Sequence, residues 1–360
     1  MKKYLSPFHK VSFILLAVSL VVYYAAISFV RVADLVSGTV SVAVRFLLSS
    51  VTYILPFSLF ELLIILSPLI LFLTVFLIVK RSKNMRQAVR SLLSVIAVIC
   101  LIFTSYIYTL GVGYHTSPLA DRLGIEDKRE VNAEELYDAI NTVIDELDIL
   151  AENIELQGDR TRMPYSFDDM SGKLIEAYDK VNERYSLLTN YPSRPKPVHF
   201  STVMSDLGIT GIYSFFTGEA NVNVEYPDYC IAFTAAHELA HQRGISRENE
   251  ANFTAFLVCI SSDDEYIRYS GYLNMYEYLS SALYRTDPEL YYEARERVSK
   301  TALADIRASN AVYQLHKDSI LGKINDRLND AYLKANGTEG IVSYGYVVRL
   351  AVSYYQSGNK

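Results

Sequence analysis

Residues 234–253 read Thr-Ala-Ala-His237-Glu238-Leu-Ala-His241-Gln-Arg-Gly244-Ile-Ser246-Arg-Glu248-Asn-Glu250-Ala-Asn-Phe253. Two histidines four residues apart on a helix project from nearly one face, because a turn takes about 3.6 residues. Their imidazoles can share one ion. Glu238, one position after the first histidine, stands at the lip of that face, where a carboxylate takes a proton from a metal-activated water instead of binding the metal. With 6 histidines in 360 residues, chance produces H-E-x-x-H in about one chain in a hundred or fewer. The stretch reads as a zinc site in which Glu238 is the catalytic base.

A catalytic zinc shell takes three protein ligands and a water. If the helix of His241 ran straight on, Glu250 would lie about 13 Å further along the axis and could not share the ion. The chain must turn back, and Gly244 is the residue type that takes the left-handed conformation ending a helix. Ser246 is then placed to cap a second helix over Arg247 to about Ile260. Two acids compete to return to the histidines, Glu248 and Glu250. The first falls in the opening turn, where acids suit the helix dipole anyway. Glu250 stands among Ala251, Phe253, Ala255, Phe256, Leu257 and Val258, and a buried carboxylate there needs a partner such as a metal. Glu250 is therefore the expected third ligand, with Glu248 as the alternative.

These residues resemble the gluzincin type of zinc metallopeptidase, with two histidines on one helix and a glutamate on the next. More closely, Thr217-Gly-Glu-Ala-Asn221, His237-Glu-Leu-Ala-His-Gln242 and Glu248-Asn-Glu-Ala-Asn-Phe253 are similar to an uncharacterised bacterial family of membrane-anchored proteins, a domain of unknown function. That likeness extends over most of the chain, including Arg268-Tyr-Ser-Gly-Tyr272. It implies a zincin-like fold, a zinc ion and peptidase activity without a defined substrate. Many gluzincins carry an aspartate four residues after the glutamate ligand to orient a histidine. The position matching that aspartate, counted from Glu250, is Thr254, so another group must orient the ring. Tyr269, Tyr272 and Tyr344 are candidates for stabilising an oxyanion.

The rest of the chain divides by chemistry. Residues 1–111 contain ten Lys or Arg against Asp34 and Glu61, a balance of +8; subtraction from the totals of 34 and 40 leaves 24 bases and 38 acids beyond, a balance of −14. Charge-free Val11–Val30 follows three lysines and is long enough to cross a hydrocarbon core of about 30 Å. Phe57–Val79 and Leu92–Leu110 are two further expected spans, and residues 31–56, interrupted by Arg31, Asp34 and Arg45, are expected to lie at the interface. The loop 80–90 carries five bases and no acid, and such loops remain in the cytoplasm. The expectation is a three-span anchor, residues 1–111, in the cytoplasmic membrane with residues 112–360 outside the cytoplasm. Nucleic acid is excluded as a partner, because the acidic part offers no clustered Lys and Arg. Cys100, Cys230 and Cys259 form no C-x-x-C pair and fit small buried hydrophobes better than a thiolate site.

Within residues 112–360 the expected class is α+β, mainly α. Apolar periodicity gives helices over 133–156 and 172–188. Beyond the prolines at 192, 195 and 197, short strands are expected at Val198–Val203, Ile212–Phe216 and Ala220–Tyr226. The last alternates like a half-exposed strand and is placed to align an extended peptide. Several helices then run to a packed terminal helix at 340–355. Two functions follow: a membrane-anchored zinc metallopeptidase acting on a peptide or protein, or a non-catalytic zincin-fold sensor or assembly protein that binds such partners.

Overall fold

The computed structural model describes residues 4–126, 130–186, 188–189, 192–337 and 344–358. It separates into two compact units. One comprises Met1–Ser117 with Ser214–Glu219, the other Pro118–Tyr213 with Ala220–Lys360.

The first unit is built from α1 (Pro7–Ser28), α2 (Val30–Ser37), α3 (Val40–Tyr53), α4 (Leu59–Arg81) and α5 (Met85–Thr109), then a 3-10 turn at Gly111–His115. On α1 the buried residues Ser12, Ser19 and Ala26 recur every seven positions. These small side chains line the face that packs on α5, as apolar helices do when backbones must approach closely. By contrast α4 buries no side chain, which suits a helix whose apolar surface meets lipid all round. By length and apolarity four segments suffice to cross a membrane: Pro7–Ser28, Val30–Tyr53, Leu59–Arg81 and Met85–His115. The expectation of three spans thus gains a fourth candidate, Val30–Tyr53, broken in two at Gly38-Thr39. Two of its charged residues are held by hydrogen bonds: Arg45 donates to the Ser37 carbonyl at 3.0 Å, and Asp34 accepts from the backbone N–H and hydroxyl of Ser117 at 2.8 and 2.6 Å.

The segment Ser214–Glu219 is held tightly inside this unit. The Phe215 carbonyl accepts from the hydroxyl of Ser105 at 2.7 Å. The Glu219 carboxylate accepts from the backbone N–H groups of Leu59 and Phe60, at 2.9 and 2.8 Å, and so satisfies two donors of the first turn of α4. Gly218 has φ of +73°, and a Cβ there would lie 2.6 Å from Leu48 Cβ.

The second unit holds α6 (Leu119–Leu123), α7 (Ala133–Ala151), the two-residue pair β1 (Leu156–Gln157) and β2 (Arg160–Thr161), and α8 (Phe167–Tyr185). There follow β3 (Pro195–Val198), α9 (Ser201–Asp206), β4, which starts at Gly211 and ends at Ser214, and β5, from Glu219 to Asn223. Next come α10 (Asp228–Gln242), α11 (Glu248–Ile260), α12 (Glu265–Thr286), α13 (Pro288–Arg297), α14 (Lys300–His316), α15 (Ile320–Ala335) and α16 (Tyr344–Gln356). The core is α12 against α7, α10 and α11, with α16 closing over α11 and α12. Asn132 and Glu135 form a capping box at the start of α7, and Ser166 with Asp169 another at α8, so an amide with an acid sets one helix start and a hydroxyl with an acid the other.

The sheet has the order β3-β5-β4. β3 runs parallel to β5, with Pro195 opposite Ala220 and Val198 opposite Asn223; prolines at alternate positions confine such a strand to an edge. Two strand expectations need correction. Residues 201–206 turn into α9 instead of continuing a strand. β5 is central and buried throughout, not a half-exposed aligning strand, because its asparagines find internal partners: Asn221 donates to the Ile212 carbonyl and Asn223 to the Ile209 carbonyl and Ser205 hydroxyl. β3 and β4 are the two outer strands of this sheet.

Candidate metal centre

Helix α10 begins immediately after Pro227, and its His237, Glu238 and His241 lie in the second half. The chain reverses at Gly244, whose φ is +101°. The Ile245 N–H returns to the Ala240 carbonyl at 3.0 Å and the Gly244 N–H to the His241 carbonyl at 3.0 Å, which closes the helix end as a left-handed glycine allows. Arg247, not Ser246, occupies the cap position of α11 and makes no side-chain cap bond; Ser246 is buried.

The reversal brings Glu248, not Glu250, to the histidines. The Nε2 atoms of His237 and His241 are 3.0 Å apart, and Glu248 Oε2 lies 3.2 Å from the first and 3.5 Å from the second. Of the two acids weighed as third ligand, Glu250, the one expected, is thus not beside the histidines, and Glu248, the alternative, is. Residues two apart on a helix point roughly 160° from one another, so only one acid can face α10. The buried Glu250 turns the other way, where its Oε1 accepts from the Leu119 N–H at 2.9 Å and from the Arg247 guanidinium at 2.8 Å. That carboxylate does need a partner, but a backbone amide and an arginine supply it.

Three converging acceptors repel one another unless a cation or a proton lies among them. In a tetrahedral shell with metal–nitrogen bonds of about 2.0–2.1 Å, neighbouring ligand atoms are about 3.3–3.4 Å apart. The three edges observed, 3.0, 3.2 and 3.5 Å, match that size, and among the described residues this is the one such cluster. His241 Nδ1 lies 2.7 Å from the Ile245 carbonyl. A carbonyl only accepts, so Nδ1 carries a hydrogen, and in the neutral ring Nε2 turns its lone pair inward. The orienting group is a backbone carbonyl of the reversal itself. With Glu248 as the acid, the position four residues on is Asn252 and not Thr254, whose hydroxyl is buried with no hydrogen-bond partner among the described residues.

The carboxylates draw positive charge, a proton or a cation, into the cluster. Burial favours neutral His241, yet the Glu248 carboxylate, with Glu238 behind it, outweighs burial and pushes the imidazole up to about 9. Burial likewise raises Glu248, but the two histidines prevail and hold it well below the usual carboxylate range; its side chain keeps 41% of its exposure, so solvent screens part of that attraction. Glu238 is 4% exposed. Burial pushes its carboxyl up to about 6, against the pull of His237 and His241, while the Tyr213 backbone amide bonds to it. Its Oε2 has no hydrogen-bond partner among the described residues. A carboxylate poised near neutrality with one oxygen unengaged is equipped for proton transfer.

Sequence reasoning missed the neighbours that make this possible. Gly211 of β4 crosses so close to α10 that a Cβ would lie 2.5 Å from Glu238 Oε1 and 2.6 Å from Thr234 Cγ2; in the sequence it reads only as a strand break. Tyr178 donates to the Ala236 carbonyl at 2.5 Å and carries the Arg243 guanidinium over its ring, 4.2 Å from the centroid, so α8 braces α10 just behind the cluster. Two of the three tyrosines considered for an oxyanion have other partners. Tyr269 donates to buried Asp305 at 2.9 Å, and Tyr272 engages Arg268 and Glu146. The Tyr344 side chain lies outside the described residues. All three cysteines are free.

No curated protein and no solved structure matches the chain. The model of one family does, over residues 37–352, and the chain accordingly belongs to the family described as protein of unknown function DUF3810.

Proposed function

We propose that this protein is a membrane-anchored zinc metallopeptidase of gluzincin type. The supporting observation is the convergence of His237 Nε2, His241 Nε2 and a Glu248 carboxylate oxygen on edges of zinc-shell size. These three residues would hold the ion, which when bound supplies Lewis acidity and lowers the pKa of water. Glu238 would take the proton of the attacking water at its unengaged oxygen and return it to the leaving nitrogen. The outer strand β4, beside Glu238, would lie along an extended peptide.

The anchor reading accompanies this. Lys2, Lys3 and Lys10 and the basic loop 80–90 favour the same, cytoplasmic side, which requires an even number of crossings between them. If α1 and α4 cross, the broken pair α2–α3 does not, and α5 carries the chain out once more. The catalytic unit then faces the extracytoplasmic side.

The full-length chain purified in detergent should contain about one zinc per chain. Glu238→Gln should retain that zinc while losing peptide hydrolysis. A zinc-free protein, or a mutant as active as its parent, would refute the peptidase. Retained zinc with an unchanged cellular phenotype in Glu238→Gln would instead favour a zincin-fold sensor or assembly protein.

A further inference from the structure

Helix α15 (Ile320–Ala335) is amphipathic in the inverted sense. Its contacts with the second unit are made by small or polar groups. A Cβ at Gly322 would sit 3.2 Å from the Asp206 carbonyl oxygen, Asn325 donates to the Leu207 carbonyl at 3.0 Å, and Leu333 is its only buried apolar residue. On the other side Ile320, Ile324 and Leu328 recur every fourth position, with Leu321 beside them, and are 75, 51, 65 and 48% exposed. Leu315, just before the helix, is 80% exposed. Elsewhere in this unit the amphipathic helices obey the usual rule: α7 buries Leu136, Ile140, Val143, Ile144 and Leu147 and turns its acids outward.

The border of the apolar stripe identifies its partner. Lys323 and Arg327 fall in one row along its edge, four positions apart, where long basic side chains extend over an apolar face toward anionic head groups; further along the row Lys334 is paired with Asp330 at 2.7 Å. Residues 112–360 as a whole carry an excess of 14 acids over bases, so a basic row here runs against the charge of its unit. Apolar stripe and basic border together fit the surface of an anionic bilayer.

We propose that α15 lies on the membrane surface, with Ile320, Ile324 and Leu328 entering the head-group boundary and Lys323 and Arg327 binding anionic lipid. This rests on the membrane-anchored reading above. The chain contains no tryptophan, so Leu328→Trp introduces a unique fluorophore, and Leu71→Trp on α4 reports on the anchor. The full-length variants are reconstituted at one copy per nanodisc, in phosphatidylcholine with and without phosphatidylglycerol. In anionic discs the Leu328→Trp emission should shift to the blue and be quenched by brominated lipid. Each of Lys323→Glu and Arg327→Glu should weaken that partition at least about fivefold, the loss expected for one basic residue near an anionic surface.

Water-like emission from both Leu328→Trp and Ile324→Trp in every disc, with Leu71→Trp quenched by the lipid, overturns the proposal and spares the anchor. Failure of Leu71→Trp to be quenched overturns the anchor itself. A blue shift that brominated lipid does not quench, and that grows with the number of copies per disc, assigns the stripe to a second copy of the chain and also overturns the proposal.

Discussion

Charged groups of the first unit and those gathered around α10 and α11 in the second find their partners in different ways. In the first, three charged groups are held by backbone: Glu219 accepts from two amides of α4, Arg45 donates to a carbonyl through one of its nitrogens, and Asp34 accepts from the Ser117 N–H. In the second, around α10 and α11, His237, His241 and Glu248 turn their acceptors on one another, and Glu238 keeps an unengaged oxygen in a buried place. A satisfied buried charge holds the fold together, whereas acceptors turned on one another can take up a proton or a cation. Glu250 shows that the distinction does not follow the unit boundary. Two residues from a cluster member, it belongs to the satisfied kind.

The largest expected effects would break this comparison if they failed. Glu248→Gln should reduce zinc affinity by about 100-fold or more, as removal of one of three protein ligands exceeds the 10–100-fold expected for a supporting group. Glu250→Gln should leave zinc stoichiometry intact and lower stability by about 1–3 kcal/mol, the cost of disturbing a buried acceptor. Paired metal analysis and thermal melts decide, and the opposite pattern would return Glu250 to the metal.

Two substitutions sharpen the contrast between the units. Gly211→Ala places a methyl where Glu238 and Thr234 already stand and should cost about 1–3 kcal/mol by overpacking. Hydrolysis should fall further than stability explains, with zinc retained, which separates the base from the ligands. In the first unit, Glu219→Ala leaves the Leu59 and Phe60 amides without their acceptor and should lower stability by about 1–3 kcal/mol, with zinc affinity unchanged. Melting in detergent with parallel zinc titration measures both.

The smallest effect concerns a satisfied charge outside the cluster. His316 lies between Asp206, 2.8 Å from Nδ1, and Glu225, 3.5 Å from Nε2, and the Asp206 hydrogen bond leads in raising its pKa. A raised folded-state pKa contributes stability that is full below about 6.5, the unfolded value, and is lost as pH rises through the folded one. The melting temperature of the parent should therefore decline with pH above neutrality more than that of His316→Gln. Parallel slopes for the two proteins would remove the imidazole from the argument.

Much of the molecule was legible in order along the chain. Runs of charge-free residues marked the apolar helices, and Asn132 with Glu135 marked the start of α7. H-E-x-x-H and Gly244 predicted a histidine pair followed by a reversal, because spacing on one helix and the left-handed preference of glycine are local properties. What only the tertiary structure decided depends on which face meets which neighbour. Glu248 and Glu250 satisfy the same local rules, and the choice between them was made by the Leu119 amide, more than a hundred residues away. Gly211 acquires meaning from α10 crossing it, and the Ile245 carbonyl from the ring it faces. The inverted face of α15 shows the same limit: the sequence alone determines that one side is apolar, but packing determines which side is left outside.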